Sequence, residues 1–303
     1  MPVDNLPLPN RSLDALANHL EASEDYRVLR RLRPSVLNHR PEGRGLRTGL
    51  FVDLETTGLN PRQDEIIEIG MVPFIYRIDG ILLGTLPAFS RLREPSIPVP
   101  SLVQDLTGLT PGRLAGQTVS ADDVAAFAPD ASLVIAHNAA FDRPFLERFC
   151  PAFVNRPWAC SMEDVPWNQA GFEGRKLGHL GLQAGFFFDG HRAVDDCQAA
   201  IALLGHTGFP ENRSALSLLL ERARTVWKRL WAEYAPFELK DTLKARGYCW
   251  NDGSDGRPKA WFIDKPPEKA EDEIRFLRTE IYQREVDITV RPVEAGDRFT
   301  SRV

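Results

Sequence analysis

Cysteine is scarce in this chain, and the four present, Cys150, Cys160, Cys197 and Cys249, stand far apart. With no Cys-x-x-Cys pair and no Cys/His grouping at zinc-finger spacing, a thiol-built zinc site and a disulfide framework are excluded, and reduced thiols in a cytosol fit best. An excess of positive charge is missing too: 37 Lys and Arg against 42 Asp and Glu leave a net charge of -5. Nucleic-acid binding through a broad basic face alone is therefore disfavoured, whereas a site in which metal ions supply the positive charge is not. Apolar runs are short, none approaching the ~20 residues that cross a bilayer as a helix. The opening Met-Pro-Val-Asp-Asn-Leu-Pro has neither the basic start nor the apolar stretch of a secretion signal. A cytoplasmic protein with no membrane partner is the expectation. What is present, 43% apolar and 26% charged residues in a chain of 303, suits a globular protein with one large domain and additions, or two domains.

The chain is organised around residues 50–59, Leu-Phe-Val-Asp-Leu-Glu-Thr-Thr-Gly-Leu. Successive side chains of a strand point to opposite faces, so Asp53 and Glu55 share one face and Val52 and Leu54 the other. Two carboxylates roughly 7 Å apart along a strand repel each other and resist burial unless a cation compensates them. The alternative is a strand running into solvent with two exposed acids.

The remaining elements follow from periodicity. Residues 11–33 read as a helix, with Ser12 as its cap and Arg30, Arg31 and Arg33 at its end, and a Pro/Gly/Arg-rich link over 40–47 leads to the acidic strand. Residues 65–78 and 80–92 read as second and third strands joined by the hairpin signal Asp79-Gly80. Short helices over 98–106 and 120–127 precede a wholly apolar strand, 133–136, that ends in His137-Asn138. In the next helix Asp142, Phe145, Leu146 and Phe149 recur at i, i+3, i+4 and i+7, which puts a carboxylate on the apolar stripe. After a helix over 176–184, the loop 185–190 delivers His191, and another helix starts near Ala193. There Asp196 shares its stripe with Ala199, Ala200 and Leu203, so Asp196 points inward and Asp195 outward. Strands in a meander, then strands alternating with helices, argue for an α/β sheet covered by helices.

Beyond residue 206 a breaker-rich segment precedes a long helix expected over 214–234. Residues 236–303 read as a small α+β unit: a helix over 239–246, paired strands 247–250 and 259–263, a helix over 271–284 and a final strand 286–290. In it Tyr248, Trp250, Trp261 and Phe262 interleave with Arg246, Arg257 and Lys259, a composition that suits a small core first and stacking on single strands second. Gln117-Thr-Val-Ser-Ala reads as a helix start capped by Ser120 rather than as a linear motif for a polymerase clamp.

Three ordered segments then carry a resemblance. Phe51-Val-Asp-Leu-Glu-Thr-Thr-Gly58, Ala136-His-Asn-Ala-Ala-Phe-Asp142 and His191-Arg-Ala-Val-Asp-Asp196 closely resemble the three motifs of the DnaQ-like, or DEDDh, 3′-5′ exonucleases. The likeness extends over roughly residues 48–206. It implies an RNase H-like core, a mixed central sheet flanked by helices; outside that core the reading of the residues themselves sets an N-terminal helical extension (1–47), a linking helix (207–235) and the small C-terminal α+β unit (236–303). It further implies hydrolysis of the 3′-terminal phosphodiester of DNA, single-stranded ends preferred, with release of nucleoside 5′-monophosphates. Asp53, Glu55, Asp142 and Asp196 would hold two Mg²⁺ or Mn²⁺ ions and His191 would be the general base.

Such a role matches the residue types: hard cations take oxygen ligands, two of them can serve both the attacking water and the leaving oxyanion, and an imidazole titrates near neutrality. Thr57, Gly58 and Leu59 would lie against the terminal nucleotide, while His137 and Asn138 either bond phosphate or support the metal-bearing helix. Arg143, Arg175, Lys176 and Arg192 flank the site in sequence as candidate phosphate contacts. Three other roles remain: an RNase of the same superfamily trimming RNA 3′ ends, a proofreading subunit held to a polymerase or another protein through the C-terminal unit, and a non-catalytic binding module. The presence of all four acids and the histidine speaks against the last.

Overall fold

The computed structural model of the chain describes residues 13–127, 130–254 and 256–300. The Ser12 cap lies outside them. Helix α1 (Leu13–Glu21) buries no residue and stops well short of residue 33. The chain then crosses the core as a strap: β1 (Arg30–Arg31) pairs in parallel with residues 186–187, and the Leu37 amide donates to the Thr85 carbonyl. Arg30 is therefore not at a helix end; it reaches back to Asp14, Asn18 and Glu21 of α1.

The core is built on two long antiparallel strands, β2 (Leu46–Thr56) and β3 (Ile66–Arg77). Every position of β3 but the last is buried, as a near-continuous apolar run requires. The third strand expected over 80–92 is two, β4 (Leu82–Thr85) and β5 (Phe89–Leu92), which pair with β3 one after the other. Pro87 stands between them, where it has no N–H to continue a ladder. Three short helices, α2 (Ser101–Thr107), α3 (Pro111–Leu114) and α4 (Ala121–Phe127), lead to β6 (Leu133–Ala136), which lies parallel to β2. Then come α5 (Ala139–Phe149), β7 (Trp158–Cys160), α6 (Leu177–Gln183), β8 (Phe186–Phe187), α7 (Ala193–Leu204) and α8 (Ala215–Arg224). The sheet order is β4-β3-β2-β6-β7, with β5 also on β3. This is the expected mixed α/β sheet.

Alternation along β2 divides the core. Phe51, with Val72 and Phe74, packs against Cys197, Ile201 and Leu204 of α7 and Leu216, Leu219 and Leu220 of α8. Leu50, Val52 and Leu54 pack on the other face against Phe145 and Leu146 of α5 and Val124 of α4. Each such side chain contributes roughly 1.5–3 kcal/mol of burial, so a one-residue slip of β2 would be strongly opposed.

The helix expected to run on to residue 234 ends at Arg224. Thr225, Val226, Trp227 and Trp231 are β-branched or aromatic, and from Trp227 the chain enters β9 (Trp227–Ala232), a central strand of a second sheet. With α9 (Lys240–Ala245), β10 (Cys249–Trp250), β11 (Trp261–Lys265), α10 (Pro267–Phe276) and β12 (Thr289–Val293) it makes an antiparallel sheet of order β10-β11-β9-β12. That sheet begins ahead of the boundary expected at 236, and its last strand is shifted about three residues along from the 286–290 expected for it, overlapping it at 289 and 290. Leu230, Leu243, Tyr248, Ile263, Leu277 and Ile281 form its separate core.

After β12 the chain returns to the first sheet. The Ala295 carbonyl accepts from the Trp158 amide at 2.8 Å. Arg298 grips the buried Asp164 through two bonds of 3.1 and 2.5 Å, and Arg143 of α5 donates to the carbonyls of Gly296 and Arg298.

Candidate metal centre

The centre is assembled at one end of β2. Asp53 lies opposite Gly70 of β3 and Glu55 opposite Glu68. Gly70 matters because a Cβ there would stand 2.5 Å from the Ala193 carbonyl carbon. Its absence lets the first turn of α7 press onto β3 beside the acids, and that turn delivers Asp196. Ligand oxygens of Asp53, Glu55 and Asp196 all lie within 4.8 Å of one another. Asp195 is not in this trio, because a step of one residue turns a helix by roughly 100°. Asp196 is further fixed by accepting the Arg192 amide at 3.1 Å.

The fourth acid arrives from the other face of the sheet. Asp142, on the buried stripe of α5, is 2% exposed and one of its oxygens accepts the Leu54 amide at 3.1 Å. It stands outside the compact trio, yet its charge bears directly on Asp53.

Electrostatics mark the cluster as incomplete without a cation. Burial, then the charges of Asp142, Asp196, Glu55 and Glu68, push the Asp53 carboxyl well above the usual carboxylate range. Burial, with Asp196 and Glu68, pushes Glu55 up to about 8, with Arg192 opposing. Asp196 rises to about 6 through burial, moderated by His191 and by backbone donors. Asp142 is raised by burial too, against the pull of the Leu54 amide. Crowded, desolvated carboxylates of this kind are the donor set a hard divalent cation requires.

Two contributors were not found by periodicity. Glu68, 1% exposed, accepts from the Arg192 guanidinium at 3.1 and 3.3 Å and from the Ala193 amide at 3.4 Å. It therefore ties the start of α7 to β3. A lone acid inside Ile66-Ile67-Glu68-Ile69 was the signal, since a charge in a strand buried on both faces needs a partner. Gly70, two residues on, carried the second.

His191 is exposed, with φ 61°, and bears electrostatically on Asp196. A left-handed histidine at a helix entry is a strained placement that the neighbouring residues must hold. Of the candidate substrate contacts, Leu59 is 84% exposed. Thr57 is buried, its hydroxyl bonded to Asp64 and to the Glu65 amide, so its side chain holds the loop together. Gly58 is required there because a Cβ would stand 2.6 Å from the Asp64 carboxylate. Both ring nitrogens of His137 are engaged, by Ser161 and by the Arg175 carbonyl, each at 2.8 Å. Those bonds tie the end of β6 to the segments that follow β7 and precede α6. Asn138, with φ 101°, turns the chain into α5.

Of the flanking cations, Arg143 is contradicted as a phosphate contact: it is fully buried and spends its donors on Glu147 and on main-chain carbonyls. Arg175 pairs with Glu163, Arg192 with Glu68, and Lys176 is exposed at the start of α6.

Comparison with known proteins agrees with this geometry. A family model for the exonucleases (RNase_T) matches residues 50–204. The DNA polymerase III subunit epsilon of Treponema pallidum is 31% identical over 160 residues, covering 50% of this chain and 72% of that protein. A PolC-type DNA polymerase III of Clostridium perfringens is 31% identical over 158 residues, but the chain spans only 10% of its length. Among solved structures, Exonuclease X in complex with 5′ overhanging duplex DNA is 24% identical, with a TM-score of 0.40, over 56% of this chain and 98% of that one. No described helix is long and apolar enough to cross a membrane. The match of the exonuclease model across half the chain, together with the acids that converge at the end of β2, places this protein in the RNase_T family of DnaQ-like exonucleases.

Proposed function

We propose that the chain is a metal-dependent 3′-5′ exonuclease that hydrolyses the 3′-terminal phosphodiester of DNA, preferring single-stranded ends and releasing nucleoside 5′-monophosphates. The observation that carries this reading is the meeting of Asp53, Glu55 and Asp196 within 4.8 Å, with Asp142 behind them. These four would hold two divalent cations, Mg²⁺ or Mn²⁺. Such ions, when bound, polarise the phosphate and stabilise the leaving oxyanion.

The protein's own part is to position and to move a proton. Glu68 and Gly70 seat α7 so that Asp196 meets the strand acids. An imidazole nitrogen of His191, exposed beside Asp196, takes the proton of the attacking water. Leu59 offers an apolar face to the terminal base.

The test is to incubate 3′-labelled and 5′-labelled single-stranded DNA, duplex DNA and RNA with the protein and Mg²⁺. Mononucleotides released from the 3′ end of DNA, fastest from single strands, are the expected products. Faster trimming of RNA would favour the ribonuclease role, and no cleavage would refute the reading. The relatives named above are polymerase III components, so a polymerase is the protein partner to seek by co-purification.

A further inference from the structure

The aromatic and cationic residues of the C-terminal unit do not form one surface. Tyr248 is buried with its hydroxyl 3.0 Å from Glu273, Arg246 is held by the same carboxylate, and Phe262 packs on Trp231 with centroids 5.0 Å apart. Trp250 and Trp261 remain. They are cross-strand partners in β10 and β11, on the face that alternation denies to Phe262, with rings edge-on at 5.4 Å and Trp250 50% exposed.

Beside them run α9 and the turn before it, where Phe237, Lys240 and Lys244 follow at i, i+3 and i+7 on one side. The Lys240 ammonium stands 4.1 Å from the centre of the Phe237 ring, and that of Lys244 5.9 Å from the Trp261 ring. These five residues line an open groove of about 450 Å³. Phe237 is 73% exposed, a large apolar ring left in water. Lys244 has Asp241 at 4.0 Å, an exposed pair that water weakens, and among the described ion pairs none involves Lys240.

We propose that this groove is a second nucleic-acid site, which takes a single strand by stacking bases on Phe237 and Trp250 while Lys240 and Lys244 meet its phosphates. Flat apolar groups alternating with anions are what a single strand supplies, and open aromatic faces flanked by ammonium groups are their complement. The groove lining holds two lysines and no acid, on a chain of net charge -5, which favours an anionic strand there. The choice of a nucleic acid rests on the exonuclease reading, but the binding does not depend on the chemistry of the acidic centre.

The full chain, in chelator so that nothing is hydrolysed, is titrated into 5′-labelled oligo(dT) over a salt series and followed by anisotropy. Trp250→Ala is expected to weaken binding about fivefold or more, the loss of one stacked base. The double variant Lys240→Ala/Lys244→Ala is expected to flatten the dependence of log Kd on log salt by about one unit. Both should hydrolyse the small diester thymidine 5′-p-nitrophenyl phosphate with Mn²⁺ as the parent does. Failure of the parent on that diester would count against the metal centre and leave the binding arm standing. Unchanged Kd and salt slope in both variants would overturn the proposal. So would tryptophan quenching by an acidic peptide but not by oligo(dT), which would make the groove a protein site. Should Trp250→Ala melt early, the exposed lysine pair decides alone.

Discussion

Without bound cations the acidic centre must weaken the fold as pH rises, and Glu55 sets the scale. Burial, first, and the neighbouring acids lift its carboxyl from 4.5 to about 8. In the unfolded chain the same group ionises at its ordinary value, so between those two pH values the folded state holds a proton that the unfolded state has released. The stability that this group contributes is complete below pH 4.5 and is lost as pH climbs through 8. Integrated to pH 8, the loss is roughly 4 kcal/mol for this one side chain. Asp196, raised to about 6, acts with the same sign over a lower range.

Glu55→Gln keeps the shape and removes the charge. A buried amide retains part of the desolvation cost, so the metal-free variant at pH 8 should gain about 1–3 kcal/mol over the parent. For a chain of this size that is a rise in Tm of about 5 °C. At pH 5, where the parent carboxyl is already protonated, the difference should largely vanish. Thermal melts in chelator at pH 5 and 8, repeated with Mg²⁺ titrated in, read all of this. Mg²⁺ should raise the parent's Tm at pH 8 more than the variant's, because it binds the folded cluster. A metal-free variant that melts no higher than the parent at pH 8 would refute the claim that uncompensated charge strains this site.

Asp196→Ala should reduce kcat by about 10²- to 10³-fold or more, whereas Asp195→Ala, outside the trio, should stay largely active in the same exonuclease assay. His191→Gln should lower kcat by about 10²- to 10⁴-fold and leave the Kd for oligo(dT) in chelator nearly unchanged, and an equal loss in Kd would assign His191 to binding instead. Gly70→Ala brings a Cβ within 2.5 Å of the Ala193 carbonyl carbon and 2.7 Å of the Val194 amide nitrogen. Moving α7 to relieve it should cost about 1–3 kcal/mol by denaturant melt and reduce activity as Asp196 leaves its place, while parental melting and full activity would show that the helix is not so tightly seated.

The parts of the fold legible in the sequence are those set by local period. Alternation in β2 separated Asp53 and Glu55 from Val52 and Leu54, and the helical period chose Asp196 over Asp195. Where two periods fit one stretch, local pattern misleads: Ala223, Val226, Trp227 and Leu230 suit a helix, but Trp227 and Leu230 lie in β9, where partners on both sides decide. Likewise the run 80–92 looks like one strand until β3 divides it around Pro87. Glu68 and Gly70 escaped because their role depends on the approach of α7, which no window of sequence contains. The buried fate of Arg143 was hidden for the same reason, since its acceptors include carbonyls at 296 and 298.

Those acceptors make the exonuclease segment a poor cassette. The helix that presents Asp142 donates through Arg143 to a carbonyl 155 positions downstream, a contact whose long loop carries an entropic cost of closure. A gene fusion borrowing residues 48–206 alone would inherit an internal guanidinium stripped of the carbonyls of Ala295, Gly296 and Arg298 and an Asp164 carboxylate without Arg298. Grafting, circular permutation or domain shuffling at that boundary should therefore give an aggregation-prone product, while the whole chain should melt in a single calorimetric transition.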